Sequence, residues 1–352
     1  MTVANLTVSP ELEALIARLP KVELHLHIEG TLEPELAFAL AKRNDIALPF
    51  ANVEALRAAY NFADLQSFLD LYYATAAVLR TRQDFYALAI SYFTRAFADG
   101  VAHAELFFDP QTHTVRGVAM GDVIGGLRDA MTDAYQRYGI TSELILCFLR
   151  HLPEQDALDT LHAALPYRQE FVGVGLDSGE RGNPPSKFVN VFAKARELGL
   201  RVVAHAGEEG PAAYIYEALD LLKVDRIDHG VRCDEDPALV ARLVRERIPL
   251  TVCPLSNLKL CVVKDLRDHN FAKLLRAGVA VTINSDDPAY FGGYIADNYR
   301  ATVAALGLSA DEIVAVTENA VRGSYLPATE KTALLGRIRA AAARPLQRKP
   351  AS

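Results

Sequence analysis

Hydrophobic and polar positions alternate along Val22 to Thr31, which reads Val-Glu-Leu-His-Leu-His-Ile-Glu-Gly-Thr. A period of two predicts a strand whose successive side chains point to opposite faces. Glu23, His25 and His27 then share one face, Leu24, Leu26 and Ile28 the other, and Gly30 ends the strand. The two imidazoles project together about 7 Å apart along the backbone, a workable start for ligating one ion. An opening helix is expected over roughly Pro10 to Arg18. Residues 33–99 read as helical almost throughout, with Phe62, Leu65, Phe68, Leu69 and Tyr72 at helical spacing, and form a long insertion whose apolar residues are expected in the core.

From there strands and helices alternate. Residues 101–109 and Ser142 to Leu149 are expected strands on either side of a helix from about Met120 to Tyr138. Strands over Phe171 to Leu176, Arg201 to His205 and Arg226 to His229 are each followed by a helix, near Ser186 to Leu198, Pro211 to Leu222 and Pro237 to Glu246. Pro249 to Cys253 precedes a helix from Leu266 to Arg276, and Val279 to Asn284 precedes Ser-Asp-Asp-Pro. Helices over Ile295 to Leu306 and Ala310 to Ala343 follow, and Arg344 to Ser352 reads as a frayed tail. Eight strands in this rhythm predict an α/β fold, a (β/α)8 TIM barrel in one domain over 1–352, with the helical insertion after strand 1 and extra C-terminal helices. An open doubly wound sheet would carry a glycine-rich phosphate loop after an early strand, and none is found.

Composition narrows the partners. With 352 residues, 51% hydrophobic, 23% charged and a net charge of −7, the chain has the make-up of a globular protein with a large core. The absence of a long basic run argues against nucleic acid as partner. No apolar run approaches a membrane span, and the N-terminus lacks signal-peptide features, so a cytoplasmic location is expected. Cys147, Cys233, Cys253 and Cys261 form no Cys-x-x-Cys pair and are expected to be reduced and mostly buried. Oligomeric state is not legible.

In a barrel, chemistry gathers where strands end and lead into helices. The expected strand ends carry His25 and His27, His205, His229, and Asp286-Asp287. Three neutral imidazoles and a carboxylate suit zinc ahead of iron or manganese, so His25, His27, His205 and Asp286 are the expected ligands of one Zn2+. Asp286 could instead cap a helix. Asp287 points elsewhere and is free for substrate. In His205-Ala-Gly-Glu208 the glycine lets the backbone turn and bring a carboxylate near the metal, which makes Glu208 the expected proton shuttle. His229 admits three roles: a base, a water-orienting group or a fifth ligand.

Five motifs in order, His25-Leu-His27, His205-Ala-Gly-Glu208, Asp228-His229-Gly230, Cys253-Pro-Leu-Ser-Asn257 and Ser285-Asp286-Asp287-Pro288, resemble the adenosine and adenine deaminase family of metal-dependent amidohydrolases. The resemblance implies a zinc enzyme that converts an adenine-type purine base to a 6-oxopurine and ammonia, with Glu208, His229 and Asp286 catalytic. Where nucleoside members carry Asp to contact the ribose, this chain has Glu29, whose longer arm would occupy sugar space. With Ser-Asp-Asp-Pro-Ala-Tyr-Phe-Gly-Gly-Tyr, this is similar to the free-base adenine deaminase branch. Ser178 stands where nucleoside members have a glycine facing the purine. Adenine is the expected substrate. N6-substituted adenines, adenosine and a catalytically dead purine-binding barrel are the alternatives.

Overall fold

All eight expected strands are present and run parallel. In the computed structural model, which describes residues 7–344, they are β1 (Lys21–His27), β2 (Val101–Phe108), β3 (Thr141–Leu149), β4 (Gly173–Asp177), β5 (Arg201–Ala206), β6 (Arg226–His229), β7 (Pro249–Val252) and β8 (Ala280–Ile283). Each pairs with the next in chain order. The ring closes through a parallel bridge between Leu26 and Asp286, where the His27 N–H donates to the Asp286 carbonyl at 3.0 Å and the Asp286 N–H to the His25 carbonyl at 3.1 Å. Every residue of β1 is buried, because a closed barrel covers one face with its own interior and the other with helices.

Phe107, Ile145, Cys147 and Val203 form a small apolar cluster on β2, β3 and β5. The Phe107 ring stands edge-on to His25 and His27, with centroids 5.0 and 5.1 Å away. Arg226, at the start of β6, is buried and pairs with Glu105 of β2, while its Nη2 donates to the Leu24 carbonyl at 2.9 Å. This ion pair ties three strands together at one level.

The segment between β1 and β2 holds helices Pro34–Arg43, Val53–Ala58, Leu65–Ala76 and Arg82–Ala98. The last packs along Met120–Tyr138, the helix after β2, and so takes the position of a barrel crossover helix. Leu65–Ala76 begins at a capping box in which Asp64 accepts the Ser67 N–H and Ser67 reaches back to the Asp64 N–H. Phe62 lies ahead of that helix rather than on it.

The sequence scheme needs several corrections. The expected helix over 310–343 is two helices, Ala310–Gly323 and Ala328–Ala342, because Pro327 has no N–H for a helical ladder and holds the chain before it extended. The fourth strand runs to Asp177 rather than Leu176 and begins at Gly173. Helices Glu154–Ala164 and Pro254–Lys259 fill stretches that carried no assignment. Cys147, Cys233 and Cys253 are buried, but Cys261 is exposed. Of the expected frayed tail, 345–352 lie outside the described residues. Among the described residues no helix is long and apolar enough to cross a membrane.

Candidate metal centre

β1 ends at His27, β5 carries His205 and β6 ends at His229, while Asp286 follows β8 by three residues. His229 and Asp286 both adopt left-handed backbone, at φ 62° and 63°. Such strain in non-glycine residues costs of order 1–3 kcal/mol and is held by the surroundings. Here the backbone bonds of Asp286 to His25 and His27 hold it. Glu23, the third polar residue on the His25–His27 face, does not join the centre. It accepts from the Ser285 hydroxyl and, at 2.7 Å, from the Tyr92 hydroxyl, so it anchors the residue before Asp286.

Three of the expected ligands, His25, His205 and Asp286, share with His229 a cluster whose ligand atoms lie within 4.8 Å of one another, and His27 joins it through Asp286 and His205. His25 Nε2 lies 3.1 Å from Asp286 Oδ1, His27 Nε2 3.5 Å from the same oxygen, and His27 Nε2 3.1 Å from His205 Nε2. Donors about 2.1 Å from a common ion stand roughly 3.0–3.5 Å from one another, so these separations fit a metal. The far ring nitrogens agree. Thr251 gives its hydroxyl proton to Asp228 at 2.8 Å, so at 3.0 Å it accepts from His25 Nδ1–H, leaving Nε2 with a bare lone pair. His27 Nδ1 faces Asp177 at 3.5 Å and His205 Nδ1 faces Asp228 at 3.7 Å without a hydrogen bond. Burial first, then the neighbouring imidazoles, holds His205 well below its ordinary value, and burial likewise lowers His27. Neutral rings with lone pairs turned on one another are a donor set for a cation.

His229 belongs to the same cluster, its ring centroid 4.6 Å from that of His25 and 5.1 Å from that of His205. Its Nε2 lies 3.5 Å from Glu208 Oε2 and 3.8 Å from Asp286 Oδ2, the oxygen turned away from His25 and His27. Burial, then His25, pushes its pKa down to about 3. Asp286 is held well below the carboxylate range: burial alone would raise it, but the facing His25, His229 and His27 outweigh that. Glu208 goes the other way, raised well above its ordinary value by burial and then by Asp286 and Glu180. One Glu208 oxygen has no partner.

Glu208 is placed by Glu180, which accepts the backbone N–H groups of Gly207, Glu208, Glu209 and Gly210 at 2.7, 3.1, 2.8 and 2.7 Å. Gly207 sits at φ 73°, and a Cβ there would lie 2.5 Å from Ile215 Cδ1, so only glycine allows this turn. Beneath it, buried Arg150 donates to the His205 carbonyl at 2.6 Å.

Above the centre lies a cavity lined by His27, His205, Glu208, His229, Asp286 and Asp287. Leu65, Phe68, Leu69, Tyr72 and Tyr73 roof it, so helix Leu65–Ala76 supplies a wall as well as core. Asp287 was expected to point elsewhere than Asp286, yet both line this cavity. A Cβ on Gly30 would overlap the Asp287 carboxylate, so Gly30 makes room for that side chain. Ser178 also lines the cavity, with its hydroxyl committed to Tyr73 at 2.9 Å and His151 at 2.8 Å. Glu29 does not line it. Its Oε1 takes the Asp109 N–H at 3.1 Å and the His113 Nε2–H at 2.7 Å, two donors that turn the carboxylate outward from the cavity.

The sequence assigns no role to Asp109 or Arg150, nor to Asp177 and Glu180, although both of these stand in the Gly175-to-Glu180 turn that holds Ser178. Asp109 and Asp177 sit at strand ends, the position that singled out the histidines, and that signal could have found them. Nothing local marks Glu180 or Arg150.

A sequence model of the adenosine deaminase family matches residues 20–341. An adenine deaminase of Cupriavidus necator is 61% identical, the match covering 95% of each chain. The crystal structure of an adenine deaminase from Arthrobacter aurescens superposes with a TM-score of 0.90 at 52% identity, over 92% of this chain and 98% of that one. An amidohydrolase from Burkholderia ambifaria, crystallised with bound Zn, superposes with a TM-score of 0.88 at 27% identity, over 96% of each chain. With the motifs, the barrel and the convergent donors in agreement with a match over nearly the whole length, the chain belongs to the adenosine deaminase family.

Proposed function

We propose that the chain hydrolyses adenine to hypoxanthine and ammonia, with one Zn2+ held by His25, His27, His205 and Asp286. The observation that carries the reading is the placement of Glu208, a buried glutamate 3.5 Å from His229 beside the convergent donors, with burial and neighbouring acids raising its pKa well above the ordinary value. His27 rather than His229 completes the ligand set because His25 and His27 approach the same Asp286 oxygen while His229 faces the other.

A zinc ion there supplies, when bound, a water ionised near pH 7 instead of about 15.7. The side chains do the rest. Glu208 gives its proton to N1 as the hydroxyl group adds to C6, so negative charge does not build up on the ring. His229 and Asp286 Oδ2 face that addition, take the proton the water loses and return it to the exocyclic nitrogen; as the C6–N bond breaks and ammonia leaves, the C6 hydroxyl gives its proton to the Glu208 carboxylate, forming the 6-oxo group and restoring the acid. Asp287 hydrogen-bonds at N7 and fixes the purine's orientation. Ser178 acts on the roof, tying Tyr73 and His151 to the turn after β4.

A second reading, removal of the amine from N6-substituted adenines, draws on the apolar roof of Leu65, Phe68 and Leu69. Ammonia or alkylamine release from adenine, N6-methyladenine and adenosine separates the readings. Adenine is expected to have the highest kcat/KM of the three. A preference for N6-methyladenine would favour the second reading, and no turnover of any of them by zinc-loaded protein would refute both.

A further inference from the structure

One wall of the cavity takes no part in this chemistry. Asp109, just past β2, and Asp177, the last residue of β4, place carboxylate oxygens within 4.8 Å of each other and of a His27 ring nitrogen. The two residues are 2% and 1% exposed, and both line the cavity. Three of their four oxygens, Asp109 Oδ1 and both of Asp177, accept no hydrogen bond, the nearest ring nitrogen to Asp177 Oδ2 being His27 Nδ1 at 3.5 Å; the fourth accepts from the Tyr72 hydroxyl at 3.2 Å. Buried acceptors without donors destabilise a fold, and a ligand that brings N–H groups to them removes that cost. Both positions are fixed from behind. Glu29 holds the Asp109 backbone N–H, and Ser178, at φ 72°, turns the chain directly after Asp177.

We propose that Asp109 and Asp177 form a free-base subsite, accepting the ring N–H at the N3–N9 edge of the purine and shutting out bases substituted at N9. The inference rests on the adenine reading above. With C6 at the metal centre, N1 at Glu208 and N7 at Asp287, the polar edge of the purine left over is N3–N9, and the polar wall left over in the cavity is this one. Free adenine carries one ring N–H on that edge. A sugar or alkyl group at N9 removes the donor and presses carbon against two carboxyl groups. A site built to bond a substrate N–H can reject an analogue lacking it by about 10⁴–10⁵. Discrimination against nucleosides then comes from Asp109 and Asp177 directly, with Glu29 a positioning residue behind Asp109.

The test is calorimetric binding of hypoxanthine and 9-methylhypoxanthine to zinc-loaded wild type, Asp177→Ala and Asp109→Asn, with bound metal measured on each preparation. Product binding needs no turnover, so it reads the subsite even if adenine released no ammonia, a result that would remove the deaminase reading instead. Wild type is expected to prefer hypoxanthine by at least about 10²-fold. Asp177→Ala should shrink that preference to below about fivefold, mainly by weakening hypoxanthine, and Asp109→Asn should shrink it less. Asp177 stands 3.5 Å from His27, and the ratio of two ligands on one preparation is insensitive to any loss of metal shared by both. A preference unchanged in both variants overturns the proposal. So does a second metal equivalent in wild type that vanishes in Asp109→Asn, because these oxygens would then be ligands of an ion.

Discussion

At the scale of single residues, the chemistry turns on two carboxyl groups driven in opposite directions. Asp286 faces three imidazoles that hold its pKa well below the ordinary carboxylate range, whereas burial and neighbouring acids raise Glu208 well above it. Glu208→Gln keeps the shape and removes the transferable proton. It should retain metal and purine binding while kcat falls about 10²–10⁴-fold, measured by ammonia release. The sign of the pH effect follows from the raised pKa. The protonated form is the active one, so activity is lost as pH rises through the elevated value and not between pH 4 and 5. A limb of kcat/KM that falls as pH rises, displaced upward from the ordinary glutamate range and absent from the residual activity of Glu208→Gln, is the expected result. Of these residues, the histidines, Asp286 and Glu208 were legible because they stand at strand ends in short motifs. The direction of Glu29 was not, since it depends on His113 and the Asp109 N–H, more than 75 residues away in sequence.

At the scale of elements, the strands could be read from alternation and from short apolar runs, and two helices that begin at a proline, Pro10–Arg18 and Pro237–Glu246, have the expected bounds, while Pro254–Lys259, which also begins at one, carried no assignment. The break at Pro327 was visible in the sequence, but the run of helix formers on either side hid it. The turn from His205 to Gly210 shows what local reading leaves out. Its shape is set by Glu180, a single carboxylate taking four backbone N–H groups from a loop 27–30 residues later. An amide has one acceptor oxygen in place of two and brings an N–H2 toward donors. Glu180→Gln should therefore loosen the turn and lower kcat by about 10–100-fold with metal content unchanged, since none of the proposed ligands touches Glu180. Equal loss of metal and activity would show that Glu180 supports the metal centre and not the placement of Glu208.

At the scale of the whole molecule, the barrel is pinned by the buried Arg226–Glu105 pair. Burial alone would raise Glu105, but Arg226 and then His103 hold its pKa at about 2, against an ordinary 4.5. Its contribution to stability is complete above pH 4.5 and is lost as pH falls toward 2, because the unfolded chain takes up the proton first. Glu105→Gln leaves Arg226 in the interior with only the more distant Asp228, 3.7 Å from its Nε, to balance its charge, and should cost about 3 kcal/mol, seen as a lowered Tm at pH 7 that narrows toward the wild-type value in acid. The same scale carries the central claim, that segments from residue 25 to residue 286 meet around one ion that makes adenine hydrolysis possible. The most direct measurement is ammonia release from adenine as metal-stripped protein is titrated with Zn2+. The account predicts no turnover without metal and a linear rise that levels at one ion per chain, with His25→Ala reaching neither the binding nor the rate. Turnover by the stripped protein equal to that of the loaded one, or a fully zinc-loaded protein that releases no ammonia, would contradict it.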